Sequence, residues 1–88
     1  MNNTELYAFI NGNWDVTEIV ADGDNKTIYQ GKASISDARQ NMAEWCIKKT
    51  TITNANGVQT VISKFADGDM CYDNVWDDRA ILTYKYLG

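Results

Sequence analysis

Five aspartates, Asp67, Asp69, Asp73, Asp77 and Asp78, fall within twelve residues of this 88-residue chain, and no base interrupts them before Arg79. Carboxylates so spaced could hold a hard cation, act in pairs as general acid and base, or present a negative surface to a partner. The cation reading is weak. Asp67-Gly68-Asp69-Met70-Cys71-Tyr72-Asp73 lacks the turn glycine and the closing bidentate Glu of an EF-hand loop, so it reads as turn chemistry. Paired-carboxylate hydrolysis needs two acids facing each other across a cleft, and a domain of this size leaves little room for one.

The third reading fits the neighbours of these acids. Tyr72 and Trp76 are interleaved with them. Aromatic side chains bury large area at low entropy cost, and clustered negative charge speeds encounter with Lys- and Arg-rich surfaces. The segment therefore predicts a contact surface for a basic partner, carried by Asp67, Asp69, Tyr72, Asp73, Trp76, Asp77 and Asp78. The competing reading is a solvated loop with Trp76 turned inward to plug the core.

Other chemistry lacks parts. The chain has no His, which removes Ser-His and Cys-His nucleophile pairs. Two cysteines without His do not make a four-ligand zinc site, and no glycine-rich phosphate loop occurs. The expectation is a protein that is not an enzyme and has no catalytic residue, cofactor or metal. Cys46 and Cys71 do not form a disulfide framework and are expected as free thiols. Near the N-terminus, Leu6 to Ile10 is too short an apolar run for a signal peptide or a membrane span, so the cytoplasm is the expected location.

Twelve acids against eight bases give a net charge of -4 and a pI near 4.5. Such a chain is repelled by nucleic-acid phosphates and anionic membranes, which excludes direct binding to either. A hydrophobic fraction of 44% with three Trp, five Tyr and two Phe is enough for one folded domain, 1–88.

Turn signals divide the chain into the elements that must hold these residues. Asn11-Gly12 separates two β-rich runs and predicts a type I′ hairpin. In that register Phe9 faces Trp14 and Tyr7 faces Val16, all on one face. Asp22-Gly23-Asp24-Asn25, Asn56-Gly57 and Asp67-Gly68-Asp69 mark further turns. Strands are expected near 5–10, 14–20, 27–33, 50–54, 58–65 and 80–86. Ser34-Ile35-Ser36-Asp37 resembles a capping box, and Ile35, Ala38, Met42, Trp45 and Cys46 fall on one helical stripe. A helix is therefore expected over 35–48. The expected core is Tyr7, Phe9, Trp14, Val16, Met42 and Trp45.

Residues 11–24 align with 56–69 at a constant offset of 45, with seven identities: Asn11, Gly12, Val16, Ala21, Asp22, Gly23 and Asp24 match Asn56, Gly57, Val61, Ala66, Asp67, Gly68 and Asp69. The pattern predicts two three-stranded meanders, one on each side of the helix. Recurring turn chemistry accounts for the matches without a duplication, because such turns select Asn-Gly and Asp-Gly.

The expected fold class is α+β, a mostly antiparallel sheet of about six strands in two meander units with one helix packed on one face. The expected function is a small acidic protein-binding module, a stoichiometric inhibitor of a basic partner such as a nucleic-acid-binding protein. Its size and charge are similar to those of phage anti-defence proteins, including anti-CRISPR inhibitors, which would place it in the host cytoplasm. Toxin-immunity proteins share the same profile. A small-ligand-binding domain and a structural subunit assembling through strand edges are the alternatives from other classes.

Overall fold

The computed structural model describes residues 14–88. Runs rich in Val, Ile, Thr and aromatic residues form the strands, as the pleated, half-buried surface of a sheet favours. β1 spans Val16–Asp22, β2 Asn25–Ala33, β3 Ala43–Ala55, β4 Val58–Ala66, β5 Asn74–Val75 and β6 Tyr84–Lys85, with one 3₁₀ turn at Trp76–Asp78. All the pairings are antiparallel, in the order β1-β2-β3-β4-β6, and β5 pairs with the start of β3. The expected strand at 5–10, the Asn11-Gly12 turn, Tyr7 and Phe9 lie outside the described residues.

Two hairpins organise the sheet. Gly23, at φ 61°, takes the first position of the two-residue loop between the paired Asp22 and Asn25. Asn56 and Gly57 both have positive φ, 54° and 77°, between the paired Ala55 and Val58. That is the backbone of a type I′ turn, and it matches the right-handed twist of the strands it joins.

The α+β expectation is corrected: the described residues contain no α-helix, and the molecule is a mostly antiparallel sheet. The expected helix over 35–48 is replaced by an irregular loop followed by the first residues of β3. The reason lies in what each half of that segment buries. Ile35 is 53% exposed and Met42 41% exposed, so before Trp45 the stripe touches the core only through the small Ala38. A helix whose apolar face packs on so little is marginal in water. Trp45, Cys46 and Ile47 are instead consecutive and all buried. An internal strand covered on both faces produces that pattern, and β3 pairs with β2 from Lys26↔Ile52 to Ala33↔Trp45. Met42 is accordingly not a core residue.

The loop that replaces the helix is pinned by β3. Ser34 N–H donates to the carbonyl of Glu44, the Glu44 carboxylate accepts from the N–H of Arg39 at 2.9 Å, and the Trp45 indole donates to the Arg39 carbonyl at 3.0 Å. Ser34 of the expected capping box and Trp45 of the expected stripe thus both help to hold the loop.

The strand alternation sorts side chains onto two faces. On one, Tyr29, Trp45, Ile47 and Ala66 form the main core with Trp76, and Val16, Ala33, Ala38, Leu82 and Tyr84 pack against it. On the other, Ile28 and Ile52 are buried together, and Trp14 lies 6.5 Å from the Phe65 ring. From β5 the chain crosses the first face. Trp76 packs over Trp45, Arg79 reaches Glu18 on β1, and Tyr84 returns to pair with Ala66 on β4.

Two further expectations change. The strand expected over 80–86 shrinks to Tyr84–Lys85, because residues 76–83 serve as a strap across the sheet and Ile81 is 81% exposed. The two expected meanders are not alike: β3, β4 and β6 do pair in that order, whereas the strand at 5–10 that would complete the other lies outside the described residues. Asp22-Gly23 closes a hairpin, whereas Asp67 and Gly68, at φ 60° and 74°, turn the chain away from β4 into a segment that pairs with β3. No helix among the described residues is long and apolar enough to cross a membrane.

Candidate functional site

The acidic segment runs from the end of β4 into the start of the strap. Its first turn is held by backbone: Asp67 N–H donates to the Thr83 carbonyl, and Gly68 N–H to that of Phe65. Asp69 then folds back on its own chain, its carboxylate accepting from the N–H of Cys71 at 3.0 Å. Asn74 closes the stretch. It is buried, and its amide donates to the carbonyls of Trp45 and Cys71. Asp77 and Asp78 lie in the 3₁₀ turn, where the N–H of Asp77 donates to the Gln40 carbonyl.

These hydrogen bonds use backbone groups and leave most carboxylates facing water. Asp67, Asp73, Asp77 and Asp78 are exposed and Asp69 half-buried. Among the described residues the one salt bridge is Arg79 to Glu18, so none of the five aspartates is neutralised by a paired base. Their field is felt by the nearest thiol. Asp69 pushes Cys71 above the usual thiol range, first through its charge, and Asp73 adds to the effect. Cys46 is pushed up mainly by burial and secondarily by Asp69. Both cysteines are free, Cys46 buried and Cys71 exposed. The sequence offers no reason for them to meet, yet the chain brings them close enough for the Cys71 charge to push Cys46 up further.

The two aromatic residues of the segment part company. Tyr72 is 43% exposed and stands with the acids at the surface. Trp76 is 3% exposed, with its ring 5.9 Å from that of Trp45 and the Arg79 guanidinium 4.8 Å above it. It belongs to the core, and its side chain offers no contact area to a partner. The exposed apolar residue that sequence reasoning passed over is Met70, 54% exposed between Asp69 and Cys71. Its position inside the acidic run was the available signal, since an unbranched, polarizable side chain adapts readily to a partner surface.

The surface is thus an acidic segment carrying Met70 and Tyr72, on a backbone fixed by Asn74 and the Asp67 turn. No three Cys, Asp or Glu side chains among the described residues converge as metal ligands. No protein family matches the chain, and no curated protein or solved structure matches it.

Proposed function

We infer that the protein is a binding module that docks on a basic protein surface through residues 67–78, with Met70 and Tyr72 as apolar anchors and the aspartates around them. The observation that carries this reading is the exposure of two large apolar side chains within a run of unpaired carboxylates. An interface of this kind has an apolar centre with a charged rim: the centre supplies affinity, and the rim supplies on-rate and orientation. In the cytoplasm, a module of this type would act stoichiometrically by covering a Lys- or Arg-rich site, such as the nucleic-acid-binding face of its partner.

The test is charge reversal at Asp73, Asp77 and Asp78 to Lys, with Tyr72→Ala as a second variant and the fold checked by circular dichroism. Partners would be captured on immobilised protein at low and high salt. Reversal should abolish capture of basic proteins at both salt concentrations. Tyr72→Ala should weaken it at high salt, where the apolar contact dominates. Equal capture by wild type and both variants would show that the segment is only a solvated loop.

A further inference from the structure

A second surface carries the opposite charge. One row of side chains runs across four strands on the strap-covered face: Glu18 on β1, Tyr29 on β2, Lys49 on β3 and Lys64 on β4, each the register partner of the next. Lys49 and Lys64 are therefore direct cross-strand neighbours on one face, an arrangement of like charges that destabilises a sheet unless an anion offsets it. The one acid in the row does not reach them. Glu18 lies two strands from Lys49, about 10 Å away at the usual strand spacing, and both its oxygens are taken by Arg79, at 2.9 and 2.6 Å. Neither lysine has a salt bridge among the described residues. Their ammonium groups lie against rings instead: Lys49 is 5.4 Å from the Tyr84 centroid, and Lys64 is 4.9 Å from that of Tyr86.

The pair opens into a groove of about 230 Å³ lined by Lys49, Thr51, Ile62, Lys64, Leu82 and Tyr84. Its lining combines two ammonium groups with the apolar surfaces of Ile62, Leu82 and Tyr84. We propose that this groove binds a small organic phosphate, with the phosphate between Lys49 and Lys64 and the apolar body against Ile62, Leu82 and Tyr84. Two ammonium groups match a phosphate monoester, which carries close to two negative charges at neutral pH, better than they match a carboxylate with one. Lysine acts on phosphate as a point charge, so this needs no bidentate geometry. The site is independent of the acidic segment and stands or falls separately from the partner-binding reading.

Phenyl phosphate is the probe, with inorganic phosphate and benzoate as controls, titrated calorimetrically into the intact protein. Phenyl phosphate should bind more tightly than either control, and Lys49→Met or Lys64→Met should each weaken it by about tenfold or more, the scale of a lost charge-assisted contact. In untreated wild type, phenyl phosphate should protect Lys49 and Lys64 from acetylation while leaving Lys32 and Lys85 reactive, read by mass spectrometry. This arm does not depend on either variant folding. Equal binding of benzoate, or equal acetylation of all four lysines with and without phenyl phosphate, would overturn the proposal.

Discussion

Gly31 lies directly beneath the six-membered ring of Trp76: a Cβ placed on this glycine would sit 2.7 Å from the Cε3 atom and 2.8 Å from Cζ3. The missing side chain on β2 is what lets the strap descend onto the sheet. The indole fills the vacant position over the strand and packs beside Trp45, which would itself be 3.1 Å from the same Cβ.

Gly31→Ala should therefore destabilise the fold by about 1–3 kcal/mol, the range for overpacking a filled core. The ring has nowhere to retreat, since it is 3% exposed and has Arg79 on its other side. Urea denaturation followed by tryptophan fluorescence measures the loss. A shift in midpoint with unchanged slope is the expected result.

The strap is also fastened at Glu18, where Arg79 Nε and Nη2 meet the two carboxylate oxygens. The Arg79 hydrogen bonds hold the Glu18 carboxyl below its ordinary range. A carboxylate with a lowered folded-state pKa contributes stability above its unfolded value and loses it as pH falls through the folded one. Glu18 is 39% exposed, so screening limits the contribution to about 1 kcal/mol or less. Glu18→Gln should lower the melting temperature at neutral pH, and the difference from wild type should shrink as pH falls below the ordinary glutamate range and through the lowered folded-state value. Melting curves across pH check both statements.

Cys71 offers a direct reading of the acidic field. Asp69 and Asp73 raise its thiol pKa, which leaves less thiolate at neutral pH. Alkylation of native protein should be slow for an exposed cysteine and should accelerate as pH rises. Asp69→Asn and Asp73→Asn should each speed the reaction at neutral pH, with Asp69→Asn having the larger effect. Cys46, buried in β3, should react only after unfolding.

What the sequence determined by itself is local. The β1–β2 and β3–β4 hairpins were legible because Gly23, Asn56 and Gly57 adopt positive φ, which few other residues tolerate. The acidic segment was legible because charge density needs no tertiary information. Trp45 and Cys46 were recognisable as buried, but not by which element. Apolar residues at 42, 45 and 46 suit a helical stripe, whereas 45 and 47 suit a strand. Periodicity alone does not separate these for a short apolar run.

Tertiary structure decided the rest. β3 became a strand because β2 offered it a ladder and both its faces had covers, an advantage absent from the segment's own propensities. Trp76 went inward and Tyr72 outward, although both sit among the same aspartates, because Gly31, distant in sequence on β2, leaves a space over the strand that the Trp76 ring fills. The Lys49–Lys64 pair was invisible in the sequence for the same reason: the two residues are brought opposite each other only by the register that the Asn56-Gly57 turn imposes.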